Sequence, residues 1–185
     1  LSVAFMALVS CVDNDLPYPV VVPNITSVII DEASDIQINY DKRVVTVYLP
    51  ETVDIRNVSI RSVQFDTEVA VPSVELTGLH DLSSPFKFNV RTYSDYDWTI
   101  IAVRNIPRYF TVEGQIGASV IDEHNRRAVA TVGMDANIKD ISVTSLKLGP
   151  EGLTTYSLSI DQMKDFSDGL SVEVISFEDY VELWT

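Results

Sequence analysis

Apolar and polar residues alternate along most of this chain. Val45, Val47 and Leu49 alternate with Thr46 and Tyr48, which is the two-residue period of a strand with one buried face. The same alternation predicts strands over 25–31, 36–40, 44–49, 58–65, 86–92 and 98–103. Residues 68–76 add a short edge strand, because Pro72 has no N–H to give a central ladder. No long stretch repeats at helical spacing. The segment 158–166, centred on Asp161-Gln162-Met163-Lys164, supports a single helical turn.

The pattern is written twice. Residues 41–65 return as 124–148, 83 residues later and without a gap. Ala128, Ala130 and Val132 stand where Val45, Val47 and Leu49 stood. Ile38/Ile121, Arg43/Arg126, Ile55/Ile138, Ser59/Ser142 and Ser62/Ser145 are identical in that register. With slightly larger offsets, Phe86, Phe88 and Val90 answer to Leu170, Val172 and Val174, and Trp98-Thr99 answers to Trp184-Thr185. A period near 80 residues exceeds the roughly 20–50 of a solenoid. It suits a complete small sandwich of about seven short strands. The chain therefore reads as all-β, with two tandem immunoglobulin-like β-sandwich domains over 25–104 and 109–185 and a linker at 105–108. In the first copy Trp98 is followed by Thr99-Ile100-Ile101-Ala102-Val103, whereas the second copy stops at Thr185. The second domain is thus expected to be incomplete, lacking its last strand and leaving an open edge.

Charge narrows the partners. The 185 residues carry 27 carboxylates against 13 basic side chains, a net charge of −14 at pH 7. Nucleic acid needs a basic face and is excluded as a partner. An electrostatic membrane patch is excluded on the same ground. A single cysteine, Cys11, permits no intrachain disulfide and no zinc site built on two thiolates.

The N-terminal region reads as an address. Residues 1–10 are apolar and uncharged, too few to span a bilayer and suited to the remnant of a secretory signal. Leu8-Val9-Ser10-Cys11 resembles a bacterial lipobox, with Cys11 as the lipid attachment site. Val12-Asp13-Asn14-Asp15 resembles the surface-export signal of Bacteroidetes lipoproteins. Pro17, Pro19 and Pro23 make the rest of 11–24 an extended tether. The expected location is the cell outer membrane, reached through the lipid anchor.

Catalytic chemistry has no motif to rest on. His80 and His124 sit in acidic, turn-like sequence, and no GxSxG elbow is present. Gly114-Gln115-Ile116-Gly117 has no helix after it to cradle a phosphate. Asp95-Tyr96-Asp97 could contribute oxygens to calcium, but no EF-hand loop is present, so no metal and no cofactor is assigned. The aromatics Tyr93, Tyr96 and Trp98, matched by Phe177, Tyr180 and Trp184, are the remaining candidates. Exposed rings stack on sugar faces. The two tryptophans are assigned to the core, and Tyr93, Tyr96 and Tyr180 are the candidate ligand-binding residues, with a glycan as the candidate ligand.

Two stretches carry a family resemblance: 109–117, Tyr-Phe-Thr-Val-Glu-Gly-Gln-Ile-Gly, and 144–156, Thr-Ser-Leu-Lys-Leu-Gly-Pro-Glu-Gly-Leu-Thr-Thr-Tyr. They resemble the N-terminal half of Bacteroidetes lipoproteins with a "putative carbohydrate metabolism domain". The resemblance implies two Ig-like modules ahead of a larger C-terminal β domain of the same parent, and it carries over no catalytic residue. The expected function is a non-catalytic spacer or carbohydrate-binding module of a surface lipoprotein. The alternative is an adhesin or pilin-like subunit completed by a donor strand.

Overall fold

The computed structural model describes residues 19–185. The signal remnant, Cys11 and the acidic run after it lie outside the described residues. The fold is all-β. In the first repeat, β1 (Ile25–Ile30), β4 (Val58–Phe65) and β6 (Gly78–His80) form a three-stranded sheet in the order β1-β4-β6. β2 (Asp35–Asn39), β3 (Val44–Leu49), β5 (Val71–Pro72), β7 (Phe86–Arg91) and β8 (Asp95–Arg104) form a five-stranded sheet in the order β2-β3-β8-β7-β5.

Alternation closes these sheets into a sandwich. Val45 and Val47 of β3, Val58 and Ile60 of β4, Val90 of β7, and Trp98 and Ile100 of β8 are almost wholly buried in one cluster. Burying a side chain of that size is worth about 1.5–3 kcal/mol, so each strand's register is held by its inward face. Trp98 belongs to this core and donates its indole N–H to the Pro23 carbonyl at 3.1 Å. β5 is at the sheet edge, as Pro72 requires. β3 and β8 run parallel, in register from Val44↔Thr99 to Leu49↔Arg104.

The second repeat follows the plan in smaller sheets. β9 (Tyr109–Val112) pairs with β12 (Val143–Lys147), as β1 pairs with β4. β10 (Val120–Asp122) and β11 (Arg127–Val129) form a hairpin, as β2 and β3 do. β13 (Thr154–Tyr156), β14 (Val172–Ser176) and β15 (Tyr180–Trp184) repeat β5, β7 and β8. A 3-10 turn at Ile160–Gln162 stands near the position of β6, where a single helical turn was expected. Trp184 is buried with Leu148 and Val174.

The expected missing strand falls on the residues after Trp184, and the strand that leads up to Trp184 is present. β15 is formed and pairs with β14 from Val172↔Trp184 to Ser176↔Tyr180. In the first repeat the pairing of β8 with β3 runs over 99–104, whereas the pairing of β14 with β15 ends at Trp184. No sheet is shared across residues 105–108 among the described residues.

Candidate functional site

Two features stand out, a junction between the repeats and a cleft within the second. The junction is built where the β3–β4 loop of the first repeat meets the β14–β15 turn of the second. Arg56 holds Asp54 of its own loop at 2.8 Å and Asp179 of the turn at 2.6 Å. Its guanidinium also lies over the Tyr180 ring, 5.3 Å from the centroid. Arg104, at the end of β8, covers Phe177 at 5.2 Å and donates to the Val53 carbonyl at 3.1 Å. Lys147, at the end of β12, meets Glu51 at 3.0 Å, and both side chains are largely buried.

The charges respond to these neighbours. Hydrogen bonds to Asp54, then to Asp179, raise the pKa of Arg56. Burial pushes the Asp54 carboxyl up, but its bonds from Arg56 outweigh that and its pKa is lowered. The hydrogen bond to Glu51 raises Lys147. Burial lowers Arg104. Cationic side chains of this kind lie over ring faces because the π quadrupole attracts them.

The turn that receives them is strained. Phe177 and Glu178 have φ of 51° and 72°, a region that bulky residues avoid. A glycine or asparagine would be the usual choice there. Here the side chains are used instead, since Phe177 lies under Arg104 and Asp179 is held by Arg56.

The three candidate tyrosines do not form one platform. Tyr180 is half-buried at the junction beneath Arg56, with its hydroxyl 3.4 Å from Glu182. Tyr96 is half-buried beneath Arg43, whose guanidinium is 5.2 Å from the ring centroid. Arg43 precedes β3 and Arg56 follows it, so these tyrosines lie at opposite ends of that strand. Tyr93 sits in the β7–β8 turn and is 51% exposed. It occupies the position of Phe177 in the other repeat, where the same turn meets Arg104. Sequence reasoning singled out these rings but missed the arginines that cover them. The partners are far away in the chain, and the only signal was an arginine in each of the loops flanking β3.

The cleft encloses about 350 Å³ in the second repeat. Its walls include Ala128, Ala130 and Val132 from β11 and the residues after it, Ile141 before β12, Leu170 before β14, and Trp184. Arg127 is the one charged residue of the lining. An apolar wall with no carboxylate offers no general acid or base, and it fits aliphatic side chains. Among the described residues no group of three or more His, Cys, Asp or Glu could hold a metal, and no helix is long and apolar enough to cross a membrane.

No family model matches the chain, and no curated protein matches it. Among solved structures, a putative glycoside hydrolase from Bacteroides thetaiotaomicron is similar at 11% sequence identity and a TM-score of 0.38. The similarity covers 83% of this chain and 45% of that one, so the chain spans less than half of that protein's length.

Proposed function

We propose that the chain is a non-catalytic, two-module spacer of a surface lipoprotein, each module Ig-like, holding a larger carbohydrate-related domain away from the outer membrane. The observation that carries this reading is the junction. Arg56 binds across it to Asp179 and Tyr180, and Lys147 binds across it to Glu51. A joint gripped at two places resists bending, whereas a bare four-residue linker would leave the modules free to move. A spacer needs that stiffness and needs no reactive group.

The test uses the lipidated chain on vesicles, with a fluorophore attached after Thr185 and an acceptor dye in the bilayer. The spacer reading expects a single long separation that becomes broad and shorter in an Arg56→Ala/Lys147→Ala double variant. A broad, short distribution in the unmodified chain would contradict it.

Carbohydrate binding is a second reading, supported by Tyr93, whose ring is half exposed in a turn. Retardation in glycan-containing affinity gels that disappears with Tyr93→Ala would favour it. Equal migration of both proteins in every gel would leave the spacer role alone.

A further inference from the structure

In the first repeat, Ile100 of β8 is fully buried between two strands, with Val45 beside it on β3 and Phe86 beside it on β7. The equivalents of those two neighbours are Ala128 and Leu170. Both line the cleft of the second repeat. The beginning of the parallel pairing is already in place there. Thr185 donates its N–H to the Arg126 carbonyl at 3.0 Å, as Thr99 does to Arg43, and the Ala128 N–H donates to the Thr185 carbonyl at 2.9 Å.

That last bond fixes which edge of β11 is open. N–H and C=O of one residue point to the same side of a strand and alternate along it. The Ala128 carbonyl and both polar groups of Ala130 therefore lie on the edge facing the cleft. None of the three has a backbone partner among the described residues. The inward faces tell the same story. Val45, Val47 and Leu49 are at most 3% exposed, while Ala128, Ala130 and Val132 are only half-buried.

We propose that the cleft of the second repeat is the seat of a β-strand joined to Thr185 through the backbone, running parallel to β11 with apolar side chains at its first and third positions. Such a strand would place those side chains where Ile100 and Ala102 lie in the first repeat. Its amides would meet the open edge of β11, joining the β10–β11 hairpin to the β13-β14-β15 sheet as β8 joins β3 to β7. A covalent route is favoured because a strand tethered at Thr185 acts at an effective concentration in the millimolar range.

The test appends the five residues of 100–104, Ile-Ile-Ala-Val-Arg, after Thr185 of the full chain. A control carries Asp at the first and third appended positions. Amide exchange at Ala130 is expected to slow by about tenfold or more in the first protein and not in the control. The thermal midpoint of the second repeat, followed by Trp184, should rise by about 5 °C. Equal exchange with and without the extension would overturn the proposal, and so would equal protection by the Asp control. Protection of Ala130 in the unextended chain that grows with protein concentration would also overturn it, because a second copy would then hold the cleft. These readouts lie within the second repeat, so their failure is separate from any failure of the spacer reading at the junction.

Discussion

The Thr185 amide donates to the Arg126 carbonyl at 3.0 Å, and the Thr99 amide donates to the Arg43 carbonyl at the same distance. Both arginines are in the left-handed region, with φ of 54° and 51°. Each repeat thus uses one unusual backbone residue to turn a carbonyl toward the residue that follows its tryptophan. The side chains have diverged. Arg43 covers the Tyr96 ring, and Arg126 meets Glu182 at 2.8 Å.

Arg43 therefore tolerates some changes and not others. A valine there should cost about 1–2 kcal/mol, because a branched side chain resists positive φ. A glycine relieves about as much backbone strain as it loses in the contact with Tyr96, of roughly 0.5–1 kcal/mol. Urea unfolding of the two variants should show a large drop for Arg43→Val and a small change for Arg43→Gly.

At the junction the two ion pairs differ in worth. Asp179 is 74% exposed, so Asp179→Ala should cost no more than about 1 kcal/mol. Lys147→Ala leaves the Glu51 carboxylate buried without its cation and should cost about 1–3 kcal/mol. A double-mutant cycle with Glu51→Gln checks that most of the Lys147 loss is carried by this pair.

The same contacts set a pH window. Lys147 has a folded pKa above its ordinary 10.5, so its contribution is complete below that pH and is lost as pH rises through the raised value. Asp54 has a folded pKa below its ordinary 3.8, so its contribution is present above that pH and fades as pH falls through the lowered value. Urea midpoints should be flat between these limits as far as these two groups are concerned. Lys147→Met should shrink the alkaline decline, leaving the part due to the Tyr156 phenol, which burial pushes up, and should leave the acid one.

Gly149 follows β12 and is buried. A Cβ at this position would come within 2.5 Å of the Thr154 hydroxyl and 2.8 Å of the Ser176 hydroxyl. Those hydroxyls are 3.1 Å apart and bonded to each other. Gly149→Ala should destabilise the second repeat by about 1–3 kcal/mol through overpacking. Adding Ser176→Ala should recover part of the loss, measurable by chemical unfolding.

The strands were legible because each buries one face, and the repeat made the reading sharper. β3 and β4 span the residues that alternation predicts. β6 was not legible, since three residues carry no period and Gly78–His80 is defined by its pairing with β4. β8 starts earlier than Trp98, at Asp95, because its outer residues pair with β7 without being buried. Core tryptophans were legible from their recurrence in the repeat. The junction was not. It depends on Arg56 meeting residues more than 120 positions away, and the receiving turn lacks the glycine that would have marked it. The cleft was legible as an open edge, but its apolar walls and its orientation along β11 needed the backbone.

The most direct measurement is of residual dipolar couplings for backbone amides of both repeats in one aligned sample. A fixed junction requires the two repeats to report a common alignment tensor, and the Arg56→Ala/Lys147→Ala variant to split it. Tensors of different magnitude in the unmodified chain would mean that the repeats move independently, which contradicts a rigid spacer.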